Sequence, residues 1–200
     1  MHKILTGSIG FVLASVTALA PAWALKEKDT VRVLIETEKG SIEVEIAVRK
    51  APLTAANFLK YVDGKFYDGG LFHRTVTRAN QPKDKVRIEV IQAGINPRRE
   101  KDSLPAIKLE RTNKTGLAHK NGTISMARDG TDTATSDFFI CIRDQPSLDF
   151  GGKRNPDSQG FAAFGRVVKG MDVVKQIQAA PAKGQTLKPP VKILKIRRKP

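Results

Sequence analysis

The sequence predicts a mostly β fold built on an antiparallel sheet. Short runs rich in β-branched and aromatic residues recur along the chain, and two of them alternate strictly. Gly, Asp or Pro bounds most of these runs. Only two segments carry helical periodicity. They do not fall regularly between the runs, which argues against parallel βαβ units.

Residues 1–24 are expected to be a signal peptide outside the fold. Lys3 gives a positive start, Ile4 to Ala20 is apolar and small, and Ala22-Trp23-Ala24 has the small-x-small form of a cleavage site. The apolar run is broken by Gly, Ser and Thr, whereas a bilayer span needs about 20 apolar residues. Cleavage after Ala24 would leave residues 25–200 as one domain. The expected location is periplasmic or secreted, with no membrane span after cleavage.

Val31–Glu36 and Ser41–Ile46 both alternate. Val31, Val33 and Ile35 share one face, as do Ile42, Val44 and Ile46, with Lys39-Gly40 between the runs: a hairpin. A helix follows, with Pro52 early, Thr54 as cap, Phe58, Leu59 and Val62 on one face, and Gly64 as the C-terminal stop. Tyr67 to Gly70 turns into the strand Leu71-Phe72-His73-Arg74. Thr77–Glu89 reads as a loop or extended hairpin, and Val90–Gly94 as a strand. Asn96–Asn121 is polar and irregular, with His119 expected at the surface or in a loop. Strands follow at Thr123–Ala127 and Asp137–Ile142. Phe150–Gly160 is a loop, Phe161–Val168 a strand, and Met171–Ala179 a helix with Val173, Val174 and Ile177 on one face. A Pro-rich link leads to a last strand, Val191–Arg198. Eight strands and two helices result.

Composition narrows the function classes. Two hundred residues at 40% hydrophobic content suit one ordinary globular domain. The net charge of +15 allows loose attraction to anionic surfaces. The basic residues are scattered, however, and not clustered with aromatics for base stacking, so no specific nucleic-acid partner is expected. The single cysteine, Cys141, cannot form an internal disulfide and sits between Ile140 and Ile142, which suits a buried inert thiol. No set of metal-ligating residues stands at defined spacings.

Arg74 and Gln92 stand out because they put polar groups into strands that need none. Phe72-His73-Arg74, Ile91-Gln92-Ala93-Gly94, Gly122 to Ala127, Ser136 to Ile140, and Phe164-Gly165-Arg166-Val167 with Gly170-Met171 together resemble the cyclophilin peptidyl-prolyl isomerases, most nearly bacterial forms with an export signal. The resemblance implies a closed eight-stranded antiparallel barrel capped by two helices. It implies Arg74 and Gln92 as catalytic residues. Val90, Phe139 and Leu148 would form a proline pocket, with Ala127 and Arg128 beside it and Phe161 adding apolar surface. It implies no cofactor and no metal, a monomer, and proline-containing unfolded or extended polypeptides as substrates. The family's usual pocket phenylalanine falls at Glu89, its asparagine at Arg128, its glutamine at Asp137 and its tryptophan at Ser147. Those departures, with the long loops 77–89 and 150–160, and separately the basic excess, keep two other readings open. One is a peptide-binding or chaperone module with little catalysis; the other is an anion-binding surface protein.

Overall fold

The computed structural model describes residues 29–200; the expected signal segment lies outside the described residues. The strands are β1 (Val31–Thr37), β2 (Gly40–Ile46), β3 (Leu71–Val76), β4 (Val90–Gly94), β5 (Thr123–Met126), β6 (Phe138–Cys141), β7 (Ala162–Lys169), β8 (Ala182–Lys183) and β9 (Thr186–Arg198). The helices are α1 (Pro52–Asp63), the one-turn α2 (Thr112–Thr115) and α3 (Met171–Gln178). The sheet order is β1-β2-β7-β5-β6-β4-β3-β9-β8, and β1 also pairs with β9. That last pairing closes eight strands into the expected barrel. Two-residue β8 stays outside the ring, paired only with β9. No helix of the described residues is long and apolar enough to cross a membrane.

Alternation places the first hairpin. Val33 pairs with Val44 and Ile35 with Ile42, and all four are fully buried. The turn is Glu38-Lys39, one residue earlier than expected, because Gly40 already pairs with Thr37. Gly40 takes a φ of +127°, which a side chain rarely adopts, and a Cβ there would press on Val173 of α3.

Two local expectations are corrected. Thr54 does not cap α1; it lies inside the helix, and the N-cap position is Ala51, which has no side-chain acceptor. Glu110 takes the role from afar. Its Oε1 accepts from the Leu53 N–H at 3.1 Å, and its Oε2 from the Thr54 N–H and hydroxyl, each at 2.7 Å. Orphan first-turn donors need acceptors, and a carboxylate also suits the positive helix end. At the other end Gly64 is the C-cap, as expected, with a φ of −77°; the left-handed residue is the next one, Lys65, with φ 55°. Finally, β9 begins at Thr186 and so includes Pro189 and Pro190. Its partner register jumps there, from Phe72↔Val191 to Arg74↔Thr186, and such an irregularity tolerates residues without an N–H.

The barrel interior centres on Phe58 of α1. Its ring lies 5.1 Å from Phe164, 5.5 Å from Tyr67 and 5.6 Å from Phe138. The neighbours Phe138 and Phe139 point to opposite faces, as strand geometry requires. Phe138 joins the barrel core, whereas Phe139 joins a smaller outer cluster with Val76, Ile88, Val90, Cys141 and Leu148. Burial pushes the Cys141 thiol far up, so it stays protonated and inert, as expected.

Candidate active site

Arg74 owes its position to a bulge. Phe72 pairs with Ala93, but Arg74 pairs with Gln92, so His73 is an extra residue in β3. The bulge lets Phe72 face the barrel core while Arg74 turns to the outer face beside Gln92.

The guanidinium is braced from two sides. Nη1 donates to Gln92 Oε1 at 2.9 Å. Nε and Nη2 donate to Gln185 Oε1 at 2.9 and 2.6 Å. Three of the five N–H bonds of a guanidinium are thus engaged, and two remain for a ligand. Burial lowers the Arg74 pKa from its ordinary value, and the charge of Arg154 lowers it further, against the opposing field of Asp84. A guanidinium still stays charged at neutral pH.

Arg74, Gln92, Val90, Ala127, Arg128, Phe139, Leu148 and Phe161 all line one cavity of about 370 Å³. Every residue that the resemblance implied for the site therefore sits at the same place. Phe161 meets Phe139 edge-on at 5.3 Å, giving the apolar wall a corner.

Three of the four departures resolve individually. Glu89 does not enter the cavity; its carboxylate faces Arg78 and Arg143 at 3.5 and 3.4 Å. Ile88 lines the cavity instead, so the pocket keeps apolar surface. Asp137 accepts from Gln92 Nε2 at 3.0 Å and lies 3.6 Å from His73 Nε2. Burial raises its carboxyl above the ordinary range, and the Gln92 bond and the His73 field oppose the rise only in part. Gly94 makes room for that carboxylate, since a Cβ there would stand 2.5 Å from Asp137 Oδ1.

Arg128 is a buried side chain tied to the 150–160 loop. It forks onto both oxygens of Asp157 at 2.8 and 2.9 Å and donates through Nε to Gly160 O at 2.8 Å. The Arg128 bonds, with the Gln159 N–H, pull the Asp157 carboxyl down to about 2. Because the folded carboxyl titrates below the unfolded one, its contribution is complete above about pH 4 and fades as pH falls through about 2. The amide of Gln159, which donates to Asp157, should show constant hydrogen-exchange protection from pH 7 to about 4 once corrected for intrinsic rates. Protection should fall only below that; loss already at pH 5 would rule out Asp157 as the anchor.

His119 lies in a loop, as one expectation had it, but not at the surface: it is 1% exposed. Its backbone N–H and Nδ1 both bond Asp149 Oδ1, at 2.9 and 2.7 Å, and Nε2 lies 3.0 Å from Ser125 Oγ. The imidazole stacks on Phe139 at 5.9 Å. Burial works against a charged Asp149, but the two His119 donors outweigh it and hold the carboxyl below its usual range. The network supports the pocket wall from behind. Ser125 is fully buried, so this triad reaches no substrate. Sequence reasoning also missed Gln185 and Arg154, each a single polar residue in a turn or charged loop with no periodicity around it.

Comparison with known proteins agrees. The family described as cyclophilin type peptidyl-prolyl cis-trans isomerase/CLD matches residues 32–198. Peptidyl-prolyl cis-trans isomerase A of Dickeya dadantii is 37% identical over 180 residues, covering 88% of this chain and 85% of that protein. Peptidyl-prolyl cis-trans isomerase B of Escherichia coli is 34% identical over 148 residues, covering 73% and 83%. In fold, the chain is similar to a cyclophilin type isomerase of Cryptosporidium parvum, with TM-score 0.68 at 20% identity over 86% of this chain and 98% of that one. With a braced arginine beside an apolar pocket on a closed barrel, and with this match across nearly all of its described length, the chain belongs to the cyclophilin-type peptidyl-prolyl cis-trans isomerase family.

Proposed function

We propose that this isomerase is exported and accelerates X–Pro isomerisation in unfolded or extended segments of envelope proteins as they fold. The observation that carries the proposed catalytic roles is the Arg74 guanidinium, fixed by Gln92 and Gln185 with two N–H bonds left over an apolar pocket. Rotation about a prolyl bond breaks amide resonance, against a barrier of about 18–20 kcal/mol. No covalent step is needed. The catalyst must hold the ring and favour the twisted amide over the planar one. Phe139, Leu148, Val90 and Phe161 receive the ring, and Ala127 offers backbone beside it. In the twisted amide the proline nitrogen regains a lone pair, and Arg74 donates to it. That bond gains strength only in the transition state, and an already braced guanidinium needs no reorganisation to make it. Gln92 and Gln185 are positioning residues in this scheme.

The assay is isomerisation of a neutral alanyl-proline peptide, followed by exchange NMR. The proposal expects acceleration well above background, and a background rate would sink it. The alternative of a binding module rested partly on Glu89, which lies outside the cavity. Export rests on Lys3, the Ile4–Ala20 run and Ala22-Trp23-Ala24. The periplasmic form should begin at Leu25 on N-terminal sequencing; a form that retains residues 1–24 there would contradict cleavage.

A further inference from the structure

The two long loops meet at the cavity through Arg154. Its Nη1 donates to Asp84 Oδ2 at 3.1 Å and to Val86 O at 2.8 Å, which ties the 150–160 loop to the 77–89 loop. Both of these bonds use Nη1, which leaves Nε–H and the Nη2 protons for a ligand. The side chain is only 18% exposed, yet it lines the same cavity as Arg74. Arg128, also in the lining, is neutralised by Asp157, but a further guanidinium near Arg74 is costly to place, because like charges repel and both are partly desolvated. The isomerisation itself gives it no task. Among the described residues Asp84 is the one carboxylate bonded to Arg154, and the loop around it bears Lys83, Lys85 and Arg87, all exposed. Asp129 and Asp137 also line the cavity, but Asp137 is engaged by Gln92 and feels His73 and Asp129. The cavity thus has a cationic part around Arg154 and an acidic part around Asp137.

Resting on the isomerase reading above, we infer that Arg154 is a specificity residue: it selects substrates that carry a carboxylate side chain on one side of the isomerising proline. A guanidinium with two donors on one edge matches a carboxylate oxygen pair, and the basic 77–89 loop steers such segments toward it. A carboxylate on the other side of the proline meets Asp129 and Asp137 and gains nothing. The acid preference is therefore confined by position, which a general basic surface would not produce.

The test uses amidated peptides, so that a side chain is the only carboxylate. Glu is placed in turn at the two positions before and the two after proline, and each kcat/KM is divided by that of the neutral peptide. For the wild-type enzyme one side should reach a ratio of roughly ten, the worth of one charge-assisted hydrogen bond to a partly solvated group. The ratio should fall to about one in Arg154→Gln, recover in part in Arg154→Lys, and invert in Arg154→Glu, which should favour the matching Lys peptide. Ratios near one at every position in the wild type, with the neutral peptide well above background, would overturn the acid preference and leave the isomerase reading intact. Equal gains on both sides, unaffected by Arg154→Gln, would also overturn it, as diffuse attraction alone. If no peptide is isomerised, the isomerase reading fails, and calorimetric binding of the same peptides decides the preference by the same ratios.

Discussion

Arg74→Ala should lower kcat/KM on proline peptides by about 100- to 1,000-fold, as expected for losing one preorganised donor worth roughly 3–4 kcal/mol. The loss should fall mainly on kcat, because the bond forms with the twisted amide and not with the ground state. Arg74→Lys should recover little. An ammonium on a flexible stem cannot bond Gln92 and Gln185 together while still presenting a fixed proton to substrate. Exchange NMR of the two variants, with circular dichroism to confirm folding, is the measurement. An alanine variant that turns over at the wild-type rate would remove the guanidinium from the mechanism.

Phe58→Ala should destabilise the domain by about 3–5 kcal/mol. Phe58 is fully buried, and its ring touches three other aromatic rings, so truncation opens a cavity that rigid barrel walls cannot close. Urea unfolding gives the number. The control is Leu53→Ala on the same helix, where a side chain 53% exposed should change stability by less than about 0.5 kcal/mol. Similar values for both would show that α1 does not seal the barrel through Phe58.

What could be read from the sequence was whatever repeats with the period of its own element. The Val31–Glu36 and Ser41–Ile46 faces, the Phe58 face and the Val173–Ile177 face all went to the core, because burial enforces alternation or a helical stripe. Arg74 and Gln92 stood out for the opposite reason, as polar groups where a strand needs none. Glu110, His119 and Gln185 were illegible because each acts across 30 to 111 residues of chain, on a partner that only the folded topology brings near. His119 in particular sits in a polar stretch that looks solvated until Asp149 and Ser125 arrive to satisfy it. Glu89 misled in another way: the family resemblance put it at a pocket position, but the side chain facing the pocket there is that of Ile88.

The brace on Arg74 has a consequence for how the enzyme comes into being. Gln185 follows Arg74 by 111 residues, in the turn before the strand that closes the barrel onto β1. Contacts so distant along the chain form slowly. During synthesis Arg74 therefore emerges long before Gln185, and a nascent chain halted before Gln185 can hold the guanidinium from the Gln92 side alone, on an open sheet. The strand that follows Gln185 thus does more than shut the barrel: the two-sided hold on Arg74 exists only once that strand has paired back onto β3 and β1.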